Sequence, residues 1–453
     1  MLDLYEIINR HIIFPFYYWK SGDKRLTRLQ QLEKNQYLSR EKLAQMQLEK
    51  LQSMIAYAYQ HTRYYRREMD ARGITPDDIN SLQDIEKLPL LTKKIIQQQG
   101  DELLSDEFEK SELIEDASGG STGEPTVFYK DLARHNLRRA DQLRHDRWSG
   151  WNIGKPSALI WGAGRDLKAL DSFREFIISR YIARSWELDA FDMTPKKMDD
   201  FVIQLEKIKP AMILGYANAL YKFSQYLLEK HPNHNIKVSG IISSAETLTP
   251  AKRDVIERAF HCQVLNRYGS REVGLIASEC KNQTGLHINA DNIYLEVTEG
   301  ERPLAAGQQG DVIITDFYNK AMPMIRYKLE DVGVLADHNC DCAINLPLLQ
   351  SIEGRCSDFF IANNGKLIHG EYFTHLFYGI KEIKQFQLIQ HTLENIELKL
   401  VIQEPLKDEN FIANTIAKIK KIMDMNISVE VKHVDAIPPT RSGKHLFTIS
   451  KVH

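Results

Sequence analysis

The ten residues 117–126 read Ala-Ser-Gly-Gly-Ser-Thr-Gly-Glu-Pro-Thr and combine glycines with serine and threonine hydroxyls. Glycine lets a backbone turn tightly and bring its N–H groups close to an anion, and the hydroxyls add further donors. The stretch therefore predicts a loop that holds a polyphosphate. It differs from the G-x-x-x-x-G-K-[ST] phosphate loop because no Lys-Ser or Lys-Thr follows Gly123. Taken alone, it also fits an ordinary polar surface loop.

Length and composition set the class of protein. The chain has 453 residues, 43% of them hydrophobic and 26% charged, which allows a large core and a second, smaller domain. A formal net charge of -2 argues against general nucleic-acid binding. No apolar run approaches the roughly 20 residues of a membrane helix, and no signal peptide is apparent. The absence of export signals predicts a cytoplasmic protein, and five cysteines, an odd and low count, do not suggest a disulfide framework.

Hydrophobic periodicity predicts the fold class. The first hundred residues have helical spacing, and short apolar strands then alternate with helices, which indicates an α/β sheet with helices on its faces. Strands are predicted at 157–161, 211–215, 240–243, 293–298 and 310–315, and helices at 134–148, 198–208, 219–229 and 250–260. Histidines 135 and 145 are expected on the surface of the helix over 134–148.

The composition changes near residue 354, beyond which strands at 385–389, 397–402 and 427–434 and a helix at 410–423 form a small α+β unit. We therefore predict two domains joined by a hinge. Residues 1–353 would form a large N-terminal α/β domain with a helical N-terminal segment, and residues 354–453 would form a small C-terminal lid.

Two further segments carry candidate nucleotide ligands. Residues 267–274, Arg-Tyr-Gly-Ser-Arg-Glu-Val-Gly, follow an apolar strand, and open α/β sheets place ligands at such junctions. Tyr268 could stack on a base and Glu272 could hold magnesium, although a solvated turn also fits. Residues 326–333, Arg-Tyr-Lys-Leu-Glu-Asp-Val-Gly, place Asp331 after a predicted strand, where its carboxylate could accept hydrogen bonds from ribose or be a surface acid.

Two more segments offer cations. Arg355 lies at the suspected domain boundary, where it could contact ribose or phosphate, or form an interdomain salt bridge. Lys444 follows Gly443 on the proline-stiffened segment 437–444, Ile-Pro-Pro-Thr-Arg-Ser-Gly-Lys. A lysine there could neutralise charge on a phosphoryl group under attack, or be exposed in a turn.

The order of these motifs resembles the adenylate-forming superfamily of acyl-CoA synthetases. Within it, the chain looks like the phenylacetate–CoA ligase branch, especially members associated with capsular or exopolysaccharide clusters. Residues 54–66 and 88–93 are also similar to that branch, so the resemblance covers nearly the whole chain.

The resemblance implies site residues by matching motif positions. The phosphate loop would hold the β- and γ-phosphates, with Thr122 also catalytic. Lys444 would bridge the carboxylate and the α-phosphate during adenylation, and Glu272 would bind magnesium. The implied nucleotide-binding residues are Ser118, Gly120, Ser121, Thr122, Gly123, Ser244, Ala245, Glu246, Tyr268, Gly269, Ser270, Asp331 and Arg355.

The resemblance also implies the reaction. Such an enzyme uses ATP and Mg²⁺ to convert a small carboxylic acid into an acyl-adenylate with release of pyrophosphate. The acyl group then passes to coenzyme A, or alternatively to an amine or hydroxyl of a sugar or carrier. A non-catalytic ATP-binding scaffold is a third interpretation, against which the presence of both Glu272 and Lys444 argues. The protein would act as a monomer or homodimer, without nucleic acid or a transmembrane segment.

Two residues depart from the superfamily pattern. Glu124 stands where many members have lysine, which removes a positive charge near the phosphates. Ser357 replaces the first aspartate of the hinge motif, so we expect a changed hinge bias rather than loss of rotation.

Two other groups of residues complete the candidate sites. Trp161, Tyr216 and Ser243 are expected to border the pocket for the carboxylic acid, although the two aromatic residues also fit core packing. Four residues could form a tetrahedral structural zinc site, although buried free cysteines are the alternative: Cys280, His287, Cys340 and Cys342.

Overall fold

A computed structural model describes residues 3–117, 126–162, 173–353, 359–377, 380, 382–408, 410–423, 426–438 and 446–452. The fold is mixed α/β, with a helical N-terminal segment, one large sheet and a smaller C-terminal sheet. This architecture confirms the predicted fold class. None of the helices in these ranges has both the length and the apolar character needed to cross a bilayer.

Helices dominate the first hundred residues, as predicted. In the described part of the chain, α1 to α13 span Leu4–Ile8, Phe14–Lys20, Arg25–Asn35, Arg40–His61, Arg63–Arg72, Lys93–Leu103, Leu132–Trp148, Phe173–Ile177, Pro195–Ile208, Ala217–Lys230, Pro250–Phe260, Gly370–His375 and Phe411–Met423. Wider π-helical turns occupy Asn9–Ile13 and Ile178–Ala183, and short 3-10 turns occupy Pro76–Asp78, Leu82–Lys87 and Lys110–Glu112.

Strands β1 to β20 span Ile114–Ala117, Val127–Lys130, Ser157–Trp161, Ser185–Asp189, Met212–Tyr216, Gly240–Ser244, Val264–Ser270, Gly274–Glu279, Leu286–Ile288, Ile293–Glu299, Arg302–Pro303, Gln309–Asp316, Tyr327–Leu335, Leu348–Glu353, Phe359–Ile361, Leu367–His369, Ile383–Thr392, Asn395–Ile402, Ser428–His433 and Thr448–Ser450. Twelve of them form one sheet in the order β11-β10-β12-β13-β14-β9-β8-β7-β6-β5-β3-β4. The run from β4 to β7 is parallel and the remainder is antiparallel.

The parallel half follows directly from the sequence pattern. Strands β3, β5 and β6 are short, mostly buried apolar runs, and helices α9 and α11 begin at threonine caps followed by proline. Thr194 accepts from the N–H of Lys197, and Thr249 accepts from the N–H of Lys252. Helices α9 and α10 pack apolar side chains against β3, β5 and β6. This packing fixes the carboxyl ends of the parallel strands along one edge of the sheet.

The N-terminal helices pack on the antiparallel half. Leu91 forms an isolated parallel bridge with Tyr327 in β13. Thr92 caps α6 by accepting from the N–H of Ile95 at 3.3 Å. The buried guanidinium of Arg326 pairs with Glu296 at 3.1 Å and donates to backbone carbonyls of the preceding N-terminal segment. Arg326 and Tyr327 therefore connect the N-terminal segment to the sheet.

The C-terminal residues form a four-stranded sheet in the order β19-β18-β17-β20, covered by α13 and with its own apolar core. Strand β20, which was not predicted, lies parallel to β17. The division into domains 1–353 and 354–453 and the hinge stay predictions, and residues 354–358 lie outside the described residues.

Candidate nucleotide site and cysteine cluster

The hairpin between β7 and β8 carries the first group of predicted ligands. A Cβ on Gly269 would lie 2.7 Å from the carbonyl oxygen of Gly274, so the close approach of the two strands requires glycine here. The hydroxyl of Ser270 accepts from the N–H of Val273 at 3.2 Å and closes the turn. The turn holds Glu272 in a fixed position between the two strands.

Tyr268 and Asp331, 63 residues apart in the chain, are in direct contact. The buried hydroxyl of Tyr268 donates to Oδ2 of Asp331 at 2.7 Å. Asp331 lies inside β13, so its predicted position after a strand is wrong. The pairing of β13 with β12 shifts register between Asp311 and Ile313, and Glu330 has a φ of 64°. This irregularity interrupts the ladder beside Asp331, which sequence periodicity did not reveal.

Glu272 is a buried carboxylate beside the same strand. Its side chain is 6% exposed, and Oε1 accepts from the hydroxyl of the fully buried Tyr327 at 3.1 Å. Carboxylate oxygen is the donor type that Mg²⁺ prefers, so Glu272 fits the predicted metal role chemically. The hairpin and β13 together therefore bring Tyr268, Glu272 and Asp331 into one region.

The end of β6 supplies the next group. Ser244 is the last residue of the strand, and Ala245 has a φ of 65°, a left-handed conformation that alanine rarely adopts. The carboxylate of Glu246 accepts from the backbone N–H of Asn218 at 2.7 Å and from its Nδ2 at 3.1 Å. Glu246 thus sits at the N-terminus of α10, where a negative charge is favoured, and its carboxylate has a structural partner.

Trp161, Tyr216 and Ser243 lie at the carboxyl ends of three adjacent parallel strands, β3, β5 and β6. The Trp161 and Tyr216 rings are 4.1 Å apart between centroids and inclined by 32°. The hydroxyl of Ser243 is buried and has no hydrogen-bond partner among the described residues. The structure therefore groups the three predicted pocket residues at the edge where α/β sheets bind ligands.

The remaining predicted ligands fall outside the described residues. They are Ser118, Gly120, Ser121, Thr122, Gly123, Arg355 and Lys444. The structure does describe the two strands that flank the glycine stretch. Ala117 at the end of β1 pairs with Val127 at the start of β2. Thr126 is fully buried and its hydroxyl has no partner among the described residues.

A basic cluster beside β1 and β2 was missed in the sequence. Lys130, in β2, is 4% exposed and contacts Asp116 at 3.1 Å and the carbonyl of Arg271 at 2.6 Å. Arg271 lies 3.8 Å from Asp116, and Arg138 packs against Gly274. No carboxylate in the described part of the chain forms an ion pair with Arg138. The sequence did contain a signal for the burial of Lys130. This lysine lies two residues after Phe128 in a strand, so both side chains point to the same, buried face.

Burial changes the titration of this cluster. It lowers the pKa of Lys130 to about 8, and the neighbouring Arg138 acts in the same direction. Burial acts to raise the pKa of Asp116, but the charge and hydrogen bond of Lys130, the N–H of Ala117 and the charge of Arg271 together hold that pKa below its usual value. The positive side chains outnumber the acid, so the cluster favours an anion.

The predicted cysteine–histidine group is assembled. Sγ of Cys280 lies 3.6 Å from Sγ of Cys340, and Sγ of Cys342 lies 3.3 Å from Nε2 of His287. One ligand atom from each of the four residues lies within 4.8 Å of all the others. A tetrahedral ion with Zn–S bonds of about 2.3 Å separates its ligands by about 3.8 Å, so the donors fit zinc. Nδ1 of His287 contacts the carbonyl of Leu346 at 3.2 Å, which orients Nε2 toward the cluster.

Comparisons with known proteins show which proteins the chain is similar to. The chain is 24% identical to Protein CapK from Staphylococcus aureus over 90% of each protein. It is 28% identical to phenylacetate-coenzyme A ligase from Aromatoleum evansii, over 73% of this chain and 74% of the ligase. Its homologues are CapK and the phenylacetate–coenzyme A ligases. The CapK C-terminal domain family matches residues 360–451.

The fold comparison agrees. A structure of 2-hydroxyisobutyryl-CoA ligase, in complex with 2-HIB-AMP and CoA, aligns with a TM-score of 0.65 at 18% identity over 92% of both chains. At this identity the likeness concerns the fold, and the sequence relatives named above confirm the predicted resemblance to the phenylacetate–CoA ligase branch. The prediction of an enzyme of the ligase class is confirmed by the phenylacetate–coenzyme A ligases among its relatives.

Proposed function

We propose that this protein is an ATP-dependent, AMP-forming acid–thiol ligase. It activates a small carboxylic acid as an acyl-adenylate and transfers the acyl group to coenzyme A. The observation that carries the proposal is the contact of Tyr268 with Asp331 beside the hairpin that holds Glu272. These are the residues assigned by motif to adenine, ribose and magnesium, and homology to coenzyme A ligases supports the same assignment.

Each ligand group has a proposed role. The ring of Tyr268 stacks on adenine, with Ser244 and Ala245 on the other side, and Asp331 accepts from ribose hydroxyls. The segment 118–123 holds the β- and γ-phosphates, and Arg355 contributes at the ribose. Glu272 holds Mg²⁺, which when bound neutralises phosphate charge.

Catalysis in this site rests on positioning and on charge neutralisation. A carboxylate oxygen of the substrate attacks the α-phosphorus, and the bond to pyrophosphate breaks. Lys444 then has the role of bridging these two anionic groups. In the second step the thiolate of coenzyme A attacks the acyl carbon and AMP leaves. Lys444 serves only the first step, because the C-terminal domain is proposed to rotate between them.

The acid pocket is proposed at the edge formed by β3, β5 and β6. The ring pair of Trp161 and Tyr216 offers an apolar wall. The buried hydroxyl of Ser243, which has no partner among the residues that the structure describes, offers one polar contact, since an orphaned buried hydroxyl is costly unless a ligand or water pairs with it. This combination suits a small acid with an apolar body.

The basic cluster is proposed to replace the missing lysine of the phosphate loop. Glu124 stands in that loop where many superfamily members have lysine, so the loop lacks that positive charge. Lys130, Arg138 and Arg271 supply three positive charges beside the strands that flank the loop. Electrostatic attraction to polyphosphate is thereby retained from outside the loop.

We also propose that the cysteine–histidine group binds structural zinc. Cys280 directly follows β8 and His287 lies in β9, whereas Cys340 and Cys342 lie between β13 and β14. A closed four-ligand site would tie these strands together. The cytoplasmic location and the monomeric or homodimeric state remain predictions.

A second acceptor class is favoured by one observation. Similarity to CapK extends over 90% of this chain and that to the phenylacetate ligase over 73%, and the CapK C-terminal domain family matches residues 360–451, beyond the predicted hinge. Because CapK is not named as a coenzyme A ligase, we propose as the alternative that the acyl-adenylate passes to an amine or hydroxyl of a sugar or carrier.

A carboxylate panel assayed for pyrophosphate release tests these alternatives. Release with one or more acids supports adenylation, and absence of release with every acid supports the scaffold interpretation. Thioester formation upon addition of coenzyme A supports the ligase. Release that coenzyme A does not turn into thioester, but that an amine or hydroxyl acceptor consumes, supports the second acceptor class.

A further inference from the structure

The N-terminal helical segment, residues 4–20, presents one exposed apolar face. It comprises α1, a π-helical turn and α2 in continuous succession. The apolar face is formed by side chains spaced three to four residues apart, which lie on one side of a helix. They are Leu4, Ile8, Ile12, Phe16 and Trp19, with exposures of 68%, 38%, 62%, 58% and 75%.

The opposite face of this segment is fixed to the protein. Phe14 is 5% exposed and packs in a core cluster with Trp151. Nδ2 of Asn9 donates to the carbonyl of Tyr181 at 2.7 Å, and the hydroxyl of Tyr5 donates to the same carbonyl at 2.7 Å. These contacts set the rotation of the segment, so the apolar face cannot turn inward without breaking them.

A groove borders the apolar face of the segment. It has a volume of about 580 Å³ and is lined by Ile12, Ile13, Phe16, Tyr17, Lys20, Ser21, Arg174 and Ile182. Contiguous apolar surface of this kind marks a binding face rather than scattered surface residues.

Positive charge borders the apolar face. Lys20 and Lys24 are exposed at the end of the segment, and exposed Arg174 lines the groove. Two acids of the region are already paired, Asp3 with Arg184 at 2.8 Å and Asp23 with Arg25 at 2.5 Å. The other acids of residues 3–24 and 173–177, Glu6 and Glu175, are half-buried, whereas Lys20, Lys24 and Arg174 are exposed, so the exposed charge beside the end of the face is positive.

We propose that this face docks on the surface of an anionic lipid bilayer. Aliphatic and aromatic side chains on one side of a helix, a terminal tryptophan and flanking lysines are the features of helices that lie in a membrane interface. Trp19 and Lys20 stand together at the end of the segment, where an indole and a lysine ammonium reach the headgroup level. The cations match the charge of anionic headgroups. This role is independent of the proposed ligase reaction.

Vesicle flotation of the full chain tests the docking surface. We expect the protein to float with vesicles of phosphatidylglycerol and phosphatidylcholine, to bind pure phosphatidylcholine more weakly, and to be released by added salt. The double variant Phe16→Ser/Trp19→Ser should lower the vesicle partition coefficient by about tenfold or more, because two large apolar anchors are lost. A matched control is Ile203→Ser, since Ile203 is 65% exposed on α9 and should leave partition unchanged.

A second measurement separates docking from misfolding and from dimerisation. Brominated lipids should quench emission of the wild type strongly and that of Trp19→Phe weakly, while thermal unfolding of the two proteins coincides. Absence of flotation, or equal flotation of the wild type and the double variant, would overturn the proposal. Self-association that the double variant abolishes, without vesicle binding by the wild type, would assign the face to a second copy of the chain and likewise overturn it.

Discussion

The hydrogen bond from Tyr268 to Asp331 can be removed without removing the ring that is proposed to stack on adenine. In Tyr268→Phe the aromatic surface stays, while Oδ2 of Asp331 loses a donor at 2.7 Å. We expect the carboxylate to lose its fixed orientation and with it part of its grip on ribose. The substitution therefore acts on ATP binding through Asp331.

The size of the effect follows from the environment. A hydrogen bond to a charged group contributes about 1.5–3 kcal/mol. Tyr268 is 8% exposed, but Asp331 is partly exposed, so water replaces some of the lost contact and the lower end of this range applies. A loss of about 1.5 kcal/mol corresponds to slightly more than a tenfold rise in the KM for ATP, since about 1.4 kcal/mol is a factor of ten. The value of kcat should change little, because the reacting groups are untouched.

Carboxylate-dependent ATP–pyrophosphate exchange measures both constants. The preference for ATP over 2′-deoxy-ATP should shrink in Tyr268→Phe if Asp331 holds the ribose hydroxyls. A matched control is Tyr226→Phe, in which a tyrosine hydroxyl that donates to Asp199 at 2.7 Å is lost outside the proposed site. A KM for ATP in Tyr268→Phe that equals the wild-type value would refute the reasoning.

Three other changes test the remaining assignments. Elemental analysis should find about one zinc per chain. Cys342→Ser should lose the zinc and unfold at a lower temperature, whereas Cys262→Ser, which lies outside the cluster, should retain it. Wild-type protein that contains no zinc would contradict the site. Because burial lowers the pKa of Lys130 to about 8, its charge is present below that pH and disappears above it, so the KM for ATP should rise as pH increases through about 8. In Lys130→Arg the guanidinium stays charged and the rise should vanish, and an identical pH profile in both proteins would count against a phosphate role. Lys444→Ala should lower exchange by about 100-fold or more, ~3 kcal/mol, with ATP binding retained, and normal exchange would sink the assignment.

Local sequence determined the secondary structure of the parallel half. The strand predicted at 157–161 and the helix predicted at 250–260 coincide with Ser157–Trp161 and Pro250–Phe260. Strands buried on both faces must be short apolar runs, and a threonine followed by proline fixes the start of a helix. Both signals are local, so a single sequence displays them.

The helix predicted at 134–148 shows where local signals fail. It forms over Leu132–Trp148, but His145 is 1% exposed, so its expected surface position is wrong. Its ring lies 4.1 Å from that of Trp148, and burial holds its pKa well below the usual value. The fully buried neighbour Arg144 pairs with Asp291 at 2.8 Å, a residue 147 positions away. The polar pattern of the helix indicated solvent because the partner that permits burial is distant in sequence.

The sequence by itself determined the chemical inventory of this protein: a glycine–hydroxyl stretch, a tyrosine–glycine hairpin with Glu272, a late lysine and a cysteine–histidine set. Order and residue type were sufficient, because motif chemistry depends on neighbours along the chain. Tertiary structure alone decided that Tyr268 meets Asp331, that Lys130 is buried beside Asp116, and that the apolar face of residues 4–20 is exposed. These features depend on β-strand pairing and helix packing between residues far apart in the chain, where the energy of burial, and not the local pattern, selects the partner.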